Sequence, residues 1–278
     1  MSEAAVIART GSRPVTVDTL VEDLAALGLQ QGMVVLVHSS LSSLGWVCGG
    51  PVAVIRALET ILEPAGTLVM PAHSGDLSDP ALWVNPPVPR EWWEMIRQSM
   101  PAFDPDLTPT RGMGVIAECF RKMPGVLRSY HPQVSFAARG RYAAMITASH
   151  SLAYGLGEGS PLARIYDLDG WVLLLGVGHG NNTSLHLAEY RASYPGKKTI
   201  VQGAPIIDNS VRRWAGIPDL DLDCGDFEQL GEAFNATGQV RQGTVGCGRA
   251  LLMRQRPLVD FAVRWMEENR QPPATDQQ

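Results

Sequence analysis

The chain has 278 residues, 45% hydrophobic and 18% charged, enough apolar material for one sizeable α/β domain around a buried core. A net charge of −5 with a pI near 5.7 gives no footing on nucleic acid or an anionic membrane and suits a cationic partner instead. Four scattered cysteines (Cys48, Cys119, Cys224, Cys247) without a C-x-x-C pair argue against a zinc ribbon or a disulfide scaffold and fit a reducing cytoplasm. Met1 to Arg13 lacks an apolar signal core, and no stretch approaches the ~20 apolar residues of a membrane span.

In chain order, Leu20, Leu24 and Leu27 share one face of a helix over Val17–Leu27, which Gly28 caps. Met33–Val37 is an apolar, β-branched run expected as a strand buried on both faces. A serine- and glycine-rich loop, His38–Gly50, follows, and Pro51 opens a helix to about Leu62. Residues 63–66 turn the chain into a second strand, Thr67–Met70, parallel to the first in a βαβ unit. From Pro71 to Pro109 the chain is proline-rich, carries Trp83, Trp92 and Trp93, and shows little periodicity beyond a short helix at Arg90–Ser99. Such a stretch is either a functional loop or lid, or a surface excursion pinned by tryptophan packing.

A helix is expected at Met113–Lys122, a strand at Gln133–Gly140, a helix at Arg141–Ser149 and a short one at Leu162–Tyr166. Trp171–Val177 is the most apolar strand. Beyond Arg191, Thr199–Gln202 and Ser210–Arg213 alternate like antiparallel edge strands or a hairpin. An acidic run leads into a helix at Phe227–Asn235, Gly243–Arg249 turns between strands, and Leu258–Asn269 closes the chain as an amphipathic helix. The expected fold is α/β: a central mixed, largely parallel sheet flanked by helices, with an irregular Pro/Trp-rich insertion at 72–110 and a C-terminal antiparallel part. One domain spans 1–278, with its core at 15–265 and a frayed polar tail at 270–278.

Three stretches carry chemistry. Residues 173–190 read as a buried strand, a glycine turn and a helix starting near Asn182 or Thr183. His186 and Glu189 lie three residues apart and so share a helix face. In the first turn the helix dipole disfavours the imidazolium, while Glu189 fixes the tautomer, which makes a base poised near neutrality. Rival readings are a nucleotide fingerprint at Gly176, Gly178 and Gly180, weakened because Asn181 stands where a third glycine belongs, and a zinc pair with His179 or His131 as a further ligand. A His–Glu pair on a helix is in most proteins merely structural. The second stretch, His38–Gly50, offers hydroxyls and free amides to phosphates but lacks the P-loop lysine; its bland reading is an ordinary polar loop. The third is the acidic run Asp219, Asp221, Asp223 and Asp226, a solvated face by default and a polyamine pocket otherwise.

Residues 37–45 (VHSSLSSLG), 66–71 (GTLVMP), 128–132 (RSYHP), 157–161 (GEGSP) and 174–189 (LLGVGHGNNTSLHLAE) together resemble the aminoglycoside 3-N-acetyltransferase family, over roughly Leu20 to Asp260. The widespread acetyltransferase superfamily of similar name has a different fold and cofactor motif. The resemblance implies acetyl-CoA as co-substrate, no metal, and the 3-amino group of a 2-deoxystreptamine antibiotic as acceptor, in a resistance enzyme that works as a monomer or homodimer. It implies a catalytic His186 partnered by Glu189, and a coenzyme A segment of His38, Ser39, Ser40, Leu41, Ser42, Ser43 and Gly45, joined by Met113. His179, Asp221 and Asp223 fall on the substrate side. A cationic drug also calls for Glu158 there, and Thr183 or backbone amides for the oxyanion. The turn glycines are expected to give the reacting groups access. Direct transfer is expected over an acyl-cysteine route, since no cysteine adjoins the histidine motif. The alternatives are an N-acyltransferase for another amine of secondary metabolism, a zinc-dependent hydrolase using the HxxE pair, and a non-catalytic coenzyme A or drug binder.

Overall fold

The computed structural model describes residues 2–271. The first half builds α1 (Glu3–Thr10), α2 (Val17–Leu27), β1 (Val34–Ser39), α3 (Gly50–Leu62), β2 (Thr67–Pro71), α4 (Trp93–Ser99), α5 (Gly114–Arg121), β3 (Leu127–Arg128) and β4 (Phe136–Gly140). It continues with α6 (Ala143–Thr147), α7 (Pro161–Asp167), β5 (Trp171–Leu175), α8 (Ser184–Arg191), β6 (Thr199–Asp208) and β7 (Val211–Leu220). The last elements are α9 (Phe227–Asn235), β8 (Val240–Val245), β9 (Gly248–Arg254) and α10 (Gln255–Asn269).

Seven strands form one sheet in the order β3-β4-β2-β1-β5-β9-β8. β1 runs parallel to β2, with Val34 opposite Thr67, and parallel to β5, with His38 opposite Leu174. The sheet is mixed, as expected, but its parallel part is confined to these three strands; every pairing outside them is antiparallel. Helices cover both faces. Val35, Val37, Leu173 and Leu175 point into a core with α2, α3 and α5. Val34, Leu36, Val172 and Leu174 point into a second core with α6 to α10. The unbroken apolar runs of β1 and β5 follow from that double burial, since neither face meets water. No helix among the described residues is long and apolar enough to cross a membrane, and the four cysteines are all free.

β6 and β7 are far longer than the edge strands expected from sequence and form a separate two-stranded sheet, Thr199 facing Leu220 and Asp208 facing Val211. The 72–110 excursion leans on this hairpin. Arg97 grips Asp79 through two bonds of 2.7 and 3.0 Å. Arg212 of β7 donates to the carbonyls of Arg97 and Met100, and Phe103 is buried. These polar clasps, more than the tryptophans, pin the excursion: Trp92 is exposed and Trp83 and Trp93 are half-buried. The expected frayed tail begins differently too, for Arg270 is anchored in the interior of the site; residues 272–278 lie outside the described residues.

Candidate active site

The carboxyl ends of β1 and β5 lie side by side, where an α/β sheet opens a crevice. β1 carries His38 as its next-to-last residue and runs into the serine loop; β5 ends at Leu175, and Gly176, with φ of +72°, turns the chain toward α8. A β-carbon at Gly176 would sit 2.6 Å from Cβ of Ser43, so the two loops touch where only hydrogen fits. Asn182 rather than Thr183 caps α8, its Oδ1 accepting from the amide of Ser184 at 3.2 Å. That leaves the Thr183 hydroxyl free of the helix, and it bonds to Nε2 of His38 at 3.2 Å. Burial first, then the neighbouring His186, pushes His38 down to about 3, so it is a neutral imidazole at physiological pH.

His186 stands in the first turn of α8. Its Nδ1 lies 2.5 Å from Oε2 of Glu189, which is fully buried. An ionised carboxylate only accepts, so Nδ1 carries the proton and the lone pair of Nε2 is left to act as a base. Phe227 packs on the imidazole, ring centroids 4.9 Å apart. The other Glu189 oxygen accepts from the amide of Asp223 at 3.0 Å and from Arg270 at 2.8 Å. A zinc-binding role for the pair would break this wiring, and among the described residues no group of three or more His, Cys, Asp or Glu is arranged to hold a metal ion. The further ligands considered from sequence are engaged elsewhere. His131 accepts two backbone N–H groups, of Gln133 and Val134, on Nδ1, and His179 bonds Asn235 at 3.2 Å.

A cavity of about 830 Å³, in the size range of small-molecule sites, opens at His38 and Thr183; His186 does not line it but follows three residues on, its amide bonded to the Thr183 carbonyl. Of the expected donor segment, His38, Ser39, Ser40, Leu41, Ser42, Gly45 and Met113 line it, as does Thr183. Ser43 does not: its hydroxyl donates to Ser40 at 3.0 Å and braces the loop from behind. Gly50, the first residue of α3, also lines the cavity, so the positive end of a 13-residue helix dipole lies there, although the Gly50 amide itself donates to the Val47 carbonyl at 3.0 Å and Pro51 has no amide proton.

The substrate-side residues divide. Asp223 adjoins the dyad through its amide, and Asp221 lies two residues away, paired with Lys198 at 2.9 Å. Glu158 holds Arg191 of α8 in a two-bond pair at 2.7 and 3.0 Å. His179 points elsewhere. It is buried, its pKa lowered chiefly by desolvation, with its ring pressed against Gly231 of α9. The turn glycines serve packing rather than access: Glu228 of α9 lies against Gly178 and Gly180 and accepts the Gly180 amide at 2.7 Å. Arg270 and Phe227 were not singled out as site residues from sequence, and Asp226 only as a member of the acidic run, yet all three contact the dyad or its immediate partners.

The family model described as aminoglycoside 3-N-acetyltransferase matches residues 36–267. The chain belongs to the aminoglycoside 3-N-acetyltransferase family. It is 49% identical over 257 residues to the SPbeta prophage-derived aminoglycoside N(3')-acetyltransferase-like protein YokD of Bacillus subtilis, covering 92% of this chain and 94% of that one. To aminoglycoside N(3)-acetyltransferase VII of Streptomyces paromomycinus it is 38% identical, covering 96% of each. The crystal structure of YokD superposes with a TM-score of 0.91 at 48% identity, over 93% of this chain and 95% of that one. Ligand-bound family structures are matched as well. AAC-IIIb, binary with CoASH, has a TM-score of 0.82 at 36% identity over 94% of this chain and all of its own. AAC-VIa bound to sisomicin has a TM-score of 0.83 at 32% identity over 92% of this chain and 98% of its own.

Proposed function

We infer that this chain transfers the acetyl group of acetyl-CoA to the 3-amino group of a 2-deoxystreptamine aminoglycoside, directly and within a ternary complex, so conferring resistance. The observation that carries the reading is the His186–Glu189 pair, one helical turn from Thr183 on the wall of a donor-sized cavity, in a chain of this family.

The donor fits the cavity by its own chemistry. Serine hydroxyls, loop amides and the α3 amino end suit the pyrophosphate, while Val37, Leu41, Val47 and Met113 supply apolar wall. His186 Nε2 takes a proton from the acceptor amine, whose nitrogen attacks the thioester carbonyl carbon; the carbon–sulfur bond then breaks and the thiolate takes up a proton. Glu189 stabilises the imidazolium formed on the way. If Nε2–H of His38 donates to Thr183 Oγ1, the threonine's own proton is free for the oxyanion. On the acceptor side, Asp221 and Glu158 are already in ion pairs, but these are solvent-exposed and worth only ~0–1 kcal/mol each, so ammonium groups of a drug can replace the partners.

The test is a panel of gentamicin-like and apramycin-like scaffolds with acetyl-CoA, following thiol release and locating the acetyl group by NMR. Acetylation at the 3-amino group is expected. His186→Ala should lower kcat by ~10²–10⁴-fold with KM largely kept; unchanged turnover would remove His186 as the base. Activity lost to chelators and restored by zinc would return the hydrolase reading.

A further inference from the structure

We propose that Arg270 is a positioning residue for the His186–Glu189 pair: it holds the second oxygen of Glu189 and cancels part of that carboxylate's field on His186. The inference rests on reading His186 as the base.

Arg270 is the residue immediately after α10, and its amide still donates to Met266 at 3.0 Å, so it extends the last turn of a helix that packs along α8. Its guanidinium is fixed from four sides. Nη1 donates to Glu189 at 2.8 Å; Nε and Nη2 each reach Asp226 at 2.8 Å; Nη2 also donates to the Asp223 carbonyl at 2.8 Å; and the plane stacks over Tyr194 at 4.7 Å. The side chain is only 10% exposed, against 23% to 68% for the arginine and lysine of the Arg191–Glu158 and Lys198–Asp221 pairs. The bidentate pair with Asp226 is geometrically restrictive and fixes the guanidinium plane, so that its remaining Nη1 meets Glu189 through one bond to Oε1. Glu189 therefore has one oxygen for the base and one for this clamp. Because the clamp also takes Asp223 and Asp226, it joins the acidic segment to the dyad.

The electrostatic consequence follows from the charges around His186. Its own helix contributes Glu189. β1 contributes His38, and the segment after β2 contributes His73, both buried and held neutral chiefly by desolvation. Asp223 and Asp226 come from the segment before α9. Lys197, after α8, spends its ammonium on the carbonyls of Tyr190 and Ala192. Among the described residues, Arg270 is the one cation other than His186 in an ion pair with Glu189. Removing it leaves the carboxylate uncompensated, which favours the imidazolium over the neutral base.

The decisive measurement is an NMR titration of the His186 imidazole in the full chain, paired with the pH dependence of kcat/KM. Arg270→Gln should raise the His186 midpoint by about one pH unit, the scale of a unit charge at an effective dielectric of ~20 partly screened by solvent. The acid limb of kcat/KM should move with it, and kcat should fall about tenfold, short of the ~10²–10⁴-fold loss of the base itself. Arg270→Lys keeps the charge and should return the midpoint to the wild-type value while recovering only part of kcat. A merely structural role would lower kcat in both variants and leave the midpoint still; that result overturns the proposal. If Arg270→Gln does not fold, Asp226→Asn decides, since deleting a carboxylate behind the guanidinium must move the midpoint down, and an unmoved midpoint refutes the clamp. Should the wild-type chain acetylate no aminoglycoside, the functional reading fails while the NMR titration still judges Arg270.

Discussion

At the scale of single residues, the site separates proton handling from charge stabilisation. His186 and Glu189 face one partner each way along a hydrogen-bonded line, Nε2 outward and the carboxylate inward. Thr183 lies on a different line, through His38. The two can be told apart by mutation. Thr183→Val should lower kcat by ~10²–10³-fold, as loss of one oxyanion donor does, without moving the pH profile. Thr183→Ser, which keeps the hydroxyl, should retain most of the activity. Steady-state kinetics of the two variants check this, and an equal loss in both would show that the hydroxyl alone does not account for the role of Thr183.

At the scale of elements, the strand–turn–helix from β5 to α8 does the positioning, and its tightest point is Gly176. Alanine there must adopt φ of +72° and push its β-carbon into Ser43, in the brace of the donor loop. Gly176→Ala should therefore cost about 1–3 kcal/mol and raise KM for acetyl-CoA more than KM for the drug, read by thermal melting and initial rates. This element, with α2, β1, α3 and β2, was legible in the sequence to within a residue or two, because each carries its own signal: leucine spacing, a β-branched run, a proline at a helix start. The His186–Glu189 pairing was legible for the same reason, being local. What escaped was long-range. Arg270 meets Glu189 across 81 positions, and as one arginine at the edge of a polar tail it had nothing local to mark it. His179 looked like a site residue from its neighbours in sequence, but Gly231, far along the chain, makes the space that takes its ring. The β6–β7 hairpin was read too short because Gly203, Pro205, Gly216 and Pro218 interrupt the alternation that pairing across the hairpin restores.

For the whole molecule, the buried histidines set the response to acid. Burial chiefly holds His38 and His131 at about 3 and His150 at about 4, all below the ordinary 6.5. The unfolded chain thus binds more protons than the folded one between those values and 6.5. Stability is complete above pH 6.5 and falls as pH drops through that window, by up to about 1.4 kcal/mol per pH unit for each histidine. Urea midpoints followed by circular dichroism should be flat from pH 8 to 7 and fall steadily from 6 to 4; a flat midpoint at pH 5 would show that these imidazoles are not held neutral. The His150–Ser129 bond of 2.9 Å and the two amides on His131 lie under the 150–160 loop, so acid should loosen that loop first.

The hairpin shares no strand with the main sheet, and it rests on the 72–110 excursion through Arg212, with Phe103 donating to Pro205. Its far end runs straight into the acidic segment that bonds Glu189. Two surface segments thus support one another, the excursion joining an apolar core only at its first residue, Ala72. Lengthening a loop costs only ~0.6 kcal/mol per doubling. Insertions and deletions within these two segments should therefore leave His38, Thr183 and the donor loop at the ends of β1 and β5 where they are.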